Sequence, residues 1–139
     1  MATPYGRQQR ERERREARAQ MAAVSTGSLY MPPENGCVES RQQVELEDPD
    51  FRLDMRLVNS GDKLVEYAVV LSRRWRGGDW DQVYMVDTLH GTLHEHLSGH
   101  HQDGDSREIR PLYTQVDVQE SLDDPATLMV LEKYRKMRS

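Results

Sequence analysis

Residues 64–87 read LVEYAVVLSRRWRGGDWDQVYMVD, and this stretch decides the fold. Two segments rich in β-branched and aromatic residues flank Gly77-Gly78, a pair that favours the tip of a two-residue β-hairpin. A turn at this pair places Trp75 opposite Trp80. The same register places arginines opposite aspartates, as the pairs Arg76–Asp79 and Arg74–Asp81. The stretch therefore predicts two long antiparallel strands.

The hairpin register sorts the side chains onto two faces, because successive residues of a strand point to opposite sides of a sheet. The main core is predicted on the face that carries Tyr67, Val69, Leu71, Trp75, Trp80, Tyr84 and Val86. The second face is predicted to carry Glu66, Ala68, Val70, Val83, Met85 and Asp87. Its apolar residues also need a cover, for which a helix, the N-terminal segment and a second subunit stay open.

Further elements extend this hairpin on both sides. Residues 51–57, FRLDMRL, alternate strictly and predict a half-buried strand, with a short edge strand before it at 41–46. Strands are also predicted at 92–97 and 109–118, and Asp124 is predicted to cap a C-terminal helix with Pro125 at its first position. The apolar stripe of that helix is predicted at Leu128, Leu131 and Tyr134. The fold class is α+β: a four- to five-stranded antiparallel sheet with one C-terminal helix packed on it.

Composition divides the chain into three predicted parts. These are a basic Arg/Glu-rich arm at residues 1–24, a Pro/Gly linker at 25–39 and a single α+β domain at 40–139. Cys37 is the only cysteine, which excludes an internal disulfide and a cysteine-based zinc site and fits a reducing cytoplasm. With no apolar signal region and no run of about 18 apolar residues, no membrane partner is predicted.

The N-terminal arm differs in charge from the rest of the chain. Residues 1–20 contain six arginines and three glutamates, whereas residues 21–139 carry a net charge of −8. The arm is predicted to be helical or disordered, because it has no apolar stripe to bury. Its arginines are the predicted contacts to a nucleic acid or a protein partner: Arg7, Arg10, Arg14 and Arg18. A solubilising tail is the alternative.

All five histidines lie within residues 83–101, VYMVDTLHGTLHEHLSGHH. A second turn at His90-Gly91 would place Asp87 opposite His94 and Met85 opposite His96. Asp87, His94 and His96 would then project from the second face, near Glu66. His100 and His101 fall in a polar loop predicted at residues 98–108 and receive no role.

Four interpretations of this histidine cluster stay open. A divalent metal would take His94, His96 and Asp87, with His90 as a further ligand. A metal-free site would use His94 and His96 as general acid and base, with Asp87 orienting one ring, to cleave a phosphodiester next to a 2′-hydroxyl. The others are an inert polar surface and an interaction surface. The sequence contains no Gly-rich phosphate loop, HExxH motif or nucleophile elbow.

The segment LVEYAVVL…DWDQVYMVDTLHGTLHEH, with the helix that follows, resembles small toxin–antitoxin-associated α+β proteins of the TumE type. In those proteins a strand followed by an Asp-(Asn/Thr)-x-His-(Gly/Pro) element precedes an H-x-H pair. The resemblance covers residues 64–138, and the matching residues are Asp87, Thr88, His90, Gly91, His94 and His96. It implies a prokaryotic or phage accessory protein that acts on RNA. The first functional hypothesis is therefore a nucleic-acid-directed protein, a toxin-like ribonuclease that uses His94, His96 and Asp87.

The alternative function is a non-enzymatic interaction or structural factor that docks through the basic arm or the second face. A homodimer is compatible with either function, because the second face needs a cover.

Overall fold

The computed structural model describes residues 28–97 and 106–138, which form one antiparallel sheet and a C-terminal helical segment. The sheet has six strands, and each is hydrogen-bonded to the next in chain order. The strands are β1 (Cys37–Glu45), β2 (Phe51–Ser60), β3 (Lys63–Arg73), β4 (Asp81–Asp87), β5 (Thr92–His96) and β6 (Ser106–Pro111). The α+β class is confirmed, but the predicted count of four to five strands is one too low.

The C-terminal helix begins earlier than predicted. Helix α1 (Gln115–Ser121) starts after Thr114, whose hydroxyl accepts from the Asp117 backbone while the Asp117 carboxylate accepts from the Thr114 backbone. This reciprocal capping box satisfies two donors at the helix start. A π-helical segment (Leu122–Ala126) contains Pro125, and helix α2 (Thr127–Arg138) follows. The predicted start at Asp124 is therefore wrong, and so is the strand at 109–118 beyond Pro111.

The helices cover one face of the sheet. Val118, Ala126 and Val130 join the core cluster with the inward residues of β3 and β4, and the Tyr134 ring meets Phe51 edge-on at 5.2 Å. The buried stripe of the π-helical segment and the second helix is Ala126, Val130 and Tyr134, spaced by four residues. Leu128 is 59% exposed, so its predicted place in the stripe is wrong. No helix of the described ranges is long and apolar enough to cross a membrane.

The predicted β3–β4 register is confirmed in the strands and wrong at the tip. Val69 pairs with Val86 and Leu71 with Tyr84, but the register shifts at Ser72, so Arg73 rather than Arg74 faces Asp81. The Trp80 ring lies between the guanidinium groups of Arg52 and Arg74, at 4.5 and 4.6 Å. These two cation–π contacts replace the predicted Trp75–Trp80 pair, and the Trp75 side chain is 72% exposed.

We expect Tyr67 to make the protein sensitive to alkali. Burial raises the pKa of Tyr67 to about 12 from 10.0, against the opposing effect of its 2.7 Å hydrogen bond with Ser121. The folded state therefore keeps a proton that the unfolded chain releases. The stabilisation is complete below pH 10 and is lost as pH rises through the folded pKa. At about 1.4 kcal/mol per pKa unit, the full loss is about 2.8 kcal/mol.

Urea unfolding at several values between pH 8 and pH 12 measures this loss. Tyr67→Phe removes the titrating phenol and should lose less unfolding free energy across the same interval. Equal slopes for the wild type and Tyr67→Phe would show that this phenol is not the source.

Candidate active site

The turn between β4 and β5 has the predicted position. Leu89–Gly91 form a short 3₁₀ turn in which His90 and Gly91 both have positive φ, 60° and 75°. A Cβ on Gly91 would lie 2.7 Å from the carbonyl oxygen of Tyr30, so this residue must be glycine. Beyond the turn, Asp87 pairs with His94 and Met85 with His96. The predicted register of this second hairpin is confirmed.

Asp87, His94 and His96 meet on one face of the sheet. Asp87 Oδ2 lies 3.1 Å from His96 Nε2, and Asp87 Oδ1 lies 3.7 Å from His94 Nδ1. The two imidazole centroids are 6.2 Å apart. One carboxylate therefore forms a hydrogen bond with His96 and lies within ion-pair distance of His94. The strand register predicts that these three side chains share one face.

Local contacts hold Asp87 and His94 in place. The Leu89 backbone donates to Asp87 Oδ1 at 3.3 Å, and the Thr92 hydroxyl lies 2.8 Å from His94 Nε2. Asp87 and His96 are buried, whereas the His94 side chain is 22% exposed. His94 is therefore the member of the cluster that solvent or a ligand reaches most easily.

Strand pairing extends this site into a row across the sheet. Arg41 pairs with Arg56, Arg56 with Ala68, Ala68 with Asp87, Asp87 with His94, and His94 with Glu108. We call the face that carries this row the open face. The neighbouring row on the same face consists of Gln43, Asp54, Val70, Met85, His96 and Ser106. In the described parts of the chain, the helices pack on the opposite face.

Arg41 and Arg56 are site residues that the sequence analysis missed. With strands about 4.8 Å apart, Arg56 is two strand spacings from Asp87, within the reach of a long side chain. The sequence did contain part of this information, because the alternation of residues 51–57 places Arg56 on the face of the sheet away from the core. Only the pairing of β2 with β3 shows that it shares a row with Asp87.

Two glutamates hold the Arg56 guanidinium over the open face. It forms ion pairs with Glu39 and, at 3.2 Å, with Glu66. Partial burial disfavours the charged form, but hydrogen bonds and charges from both carboxylates outweigh that cost and raise the pKa of Arg56. Arg56 is therefore a fixed cation at every physiological pH.

A groove of about 490 Å³ extends along the open face from Arg56 to Asp87, and neither His94 nor His96 lines it. Charged, polar and apolar residues line it: Arg41, Arg56, Glu66, Tyr67, Ala68, Val70, Gln82, Met85, Asp87 and Leu89. The predicted nearness of Glu66 to the site is thus confirmed, since Glu66 and Asp87 line the same groove. The groove gives a ligand a path to the edge of the site.

The proposed metal ligands receive no support from the described residues. Among residues 28–97 and 106–138, no group of three or more His, Cys, Asp or Glu side chains is arranged to hold a metal ion. His90 is exposed at the turn. The metal set His94, His96, Asp87 and His90 therefore stays a prediction. His100, His101 and the arm residues Arg7, Arg10, Arg14 and Arg18 lie outside the described residues.

A second buried carboxylate lies on the core face of β5. Glu95 is 5% exposed, accepts a 2.6 Å hydrogen bond from the Tyr84 hydroxyl and lies 2.5 Å from the guanidinium of Arg107. Burial, and then the hydrogen bond to Glu95, raise the pKa of Tyr84. Strand alternation places Glu95 with Leu93, so the sequence contained the signal for its burial.

Arg107→Gln should destabilise the protein by about 1 kcal/mol. The substitution leaves the buried Glu95 charge with Tyr84 as its only remaining partner among these contacts, and the exposure of Arg107 limits the loss. Arg110→Gln, an exposed arginine on the same strand, is the matched control and should change stability by less than about 0.5 kcal/mol. Urea unfolding at pH 7 measures both. Equal losses of unfolding free energy in the two variants would show that the contact between Arg107 and Glu95 is not the source of the loss.

Comparisons of the chain with protein-family models, with curated proteins and with solved structures found no match. The resemblance to TumE-type proteins therefore stays a prediction. The protein has an α+β fold, and the open face of its sheet carries one aspartate and two histidines in contact.

Proposed function

We propose that the protein is a small RNA-directed enzyme, a toxin-like ribonuclease of a prokaryotic or phage accessory system that acts in the cytoplasm. His94 and His96 transfer protons in this proposal, and Asp87 orients both rings. The observation that carries it is the single Asp87 carboxylate in contact with both imidazoles, at 3.7 and 3.1 Å. Cleavage next to a 2′-hydroxyl needs one base and one acid, and two histidines supply both.

The reaction needs no reactant other than the RNA, because the two histidines supply the base and the acid. The more exposed His94 removes the proton from the 2′-hydroxyl, and the 2′-oxygen attacks the adjacent phosphorus. His96 gives a proton to the departing 5′-oxygen as the phosphorus–oxygen bond breaks. The products are a 2′,3′-cyclic phosphate and a 5′-hydroxyl. The two ring centroids are 6.2 Å apart, so both imidazoles lie close enough to act on the same phosphodiester.

Arg56 is the cation that this reaction requires for the phosphoryl oxygens. The arginines of the β3–β4 loop lie at the opposite end of β4 from Asp87, whereas Arg56 shares the groove and the cross-strand row with Asp87. Its partners Glu39 and Glu66 offset its charge in the free protein. Arg56 therefore acts only on a phosphoryl group that is already bound in the groove. The acidic domain attracts no nucleic acid at long range.

The proposal is tested with purified full-length protein and a panel of single-stranded RNAs of mixed sequence, in EDTA. We expect fragments that end in a 2′,3′-cyclic phosphate, and no cleavage of DNAs of the same sequences, because DNA lacks the attacking hydroxyl. Intact RNA across the whole panel, with and without added divalent metals, would refute the ribonuclease. Cleavage that requires a metal would instead favour the metal interpretation.

The open groove also favours a second candidate, a non-enzymatic factor that binds a protein partner. Its apolar lining residues Ala68, Val70 and Met85 lie on the face of the sheet opposite the helices. The basic arm is the other proposed docking element. Pull-downs that compare the wild type with a variant in which arginines 7, 10, 14 and 18 are changed to glutamine test the arm. Equal recovery of partners would remove it from this proposal.

A further inference from the structure

The two edges of the sheet are protected to different degrees. Edge strand β6 has six residues, ends at Pro111 and pairs with β5 through a register shift after Leu93. A proline and a bulge are common devices that prevent an edge from pairing with another chain. Edge strand β1 has nine residues, pairs with β2 without a register shift and contains neither proline nor lysine. It therefore offers a long, regular edge to a further strand.

The side chains of β1 are not buried by the rest of the described structure. Eight of the nine residues are exposed and the first, Cys37, is partly exposed. Val38 is 69% and Val44 39% exposed, and alternation places both on the face of the sheet that carries the helices. Glu39, Arg41 and Glu45 project to the open face. A pairing strand would thus meet two exposed valines on one face and charged residues on the other.

We propose that β1 pairs antiparallel with β1 of a second copy of this chain, on a two-fold axis through Arg41. This register pairs all nine residues of the strand. It places Val38 opposite Val44 of the second copy, twice by symmetry. Cross-strand aliphatic pairs of this kind stabilise sheets. The strand is self-complementary in this respect, which favours a second copy over an unrelated strand.

The polar residues fit the same register. Ser40 lies opposite Gln42 of the second copy, and Glu39 opposite Gln43, so neither pair brings like charges together. The two Arg41 side chains meet at the axis, where each has its own Glu39 at 3.4 Å and the other copy's Glu39 on the diagonal. The carboxylates offset the repulsion between the arginines.

The pairing would join two six-stranded sheets into one of twelve strands. Since Arg41 lines the groove on the open face, the second copy's Arg41 would stand at the border of that groove. The inference is independent of the ribonuclease, because the edge pairs whether or not the histidines are catalytic.

Sedimentation velocity of the full chain from about 1 to 400 µM tests the dimer. We expect a mass of twice 16.2 kDa at the upper end. Val38→Lys should raise the dimer dissociation constant at least tenfold by placing a charge opposite Val44. Leu128→Lys, at an aliphatic position on helix α2 that is 59% exposed, should leave the constant unchanged. A monomer at every concentration, or a dimer insensitive to Val38→Lys, would overturn the proposal.

Cross-linking tests the register separately. The Arg41 axis places Cys37 opposite Glu45 of the second copy, so Glu45→Cys should form an intermolecular disulfide with the native Cys37 under mild oxidation. Gln43→Cys lies on the same face but one pair further along, about 7 Å away, and should cross-link at least tenfold more slowly. Faster cross-linking of Gln43→Cys, or none by Glu45→Cys in a sample that is dimeric, would overturn this pairing.

Discussion

His94→Ala and His96→Ala are each expected to slow RNA cleavage by about 10³-fold, the typical contribution of a positioned general acid or base. The expectation follows from the geometry, because each imidazole faces Asp87 through one ring nitrogen, Nδ1 of His94 and Nε2 of His96. Of the opposite nitrogens, His94 Nε2 lies 2.8 Å from the Thr92 hydroxyl and His96 Nδ1 is buried. Substrate binding must therefore turn or uncover these two nitrogens before they can transfer protons. Single-turnover cleavage with enzyme in excess measures the chemical step directly.

A structural role for the buried His96 must be separated from a catalytic one. His96→Gln keeps a polar side chain near Asp87, so its thermal unfolding should stay close to that of the wild type while cleavage is lost. Asp62→Asn, on the exposed turn between β2 and β3, is the matched control and should retain full activity. A loss of cleavage that follows the loss of folded protein in every variant would assign the cluster to stability alone.

The sequence predicted the core face of the sheet because alternation depends on local chemistry. Tyr67, Val69 and Leu71 are buried on the face that the register of β3 and β4 assigned to the core. The same reasoning failed at the hairpin tip, where Trp80 packs between two arginines that a strand pattern does not bring together. It failed again at the helix start. Pro125 was predicted as the first helical residue, whereas the helix begins at Gln115, after the Thr114–Asp117 capping box.

The site was predictable in part for the same reason. Once His90-Gly91 forms the turn, Asp87 must face His94, and the structure has this pairing. The alternation of residues 51–57 predicted the face on which Arg56 lies, but not that Arg56 shares a cross-strand row with Asp87, because the row depends on which strands are neighbours. The hydrogen bond between Tyr84 and Glu95 was not predictable either, because it depends on how the side chains pack in the core. Sequence thus identified the residues on each strand, and only the sheet order brought them together.

Leu71→Ala is expected to lower the free energy of unfolding by about 3.5 kcal/mol. Leu71 is fully buried in the middle of the sheet, where β3 pairs it with Leu53 on one side and Tyr84 on the other. Truncation removes buried methyl groups and leaves a cavity that the two neighbouring strands cannot close, a loss of about 2–5 kcal/mol in tightly packed cores. Urea unfolding at pH 7 measures the change.

Val70→Ala is the matched comparison, because it removes aliphatic volume from the adjacent position on the opposite face. Val70 is half-buried on the open face, where its loss widens the groove and leaves no closed cavity. We expect it to cost about 1 kcal/mol or less. Equal losses at Leu71 and Val70 would mean that something covers the open face as tightly as the helices cover the core. In that case Val70→Ala should be measured again at low protein concentration, because a cover supplied by another molecule is lost on dilution.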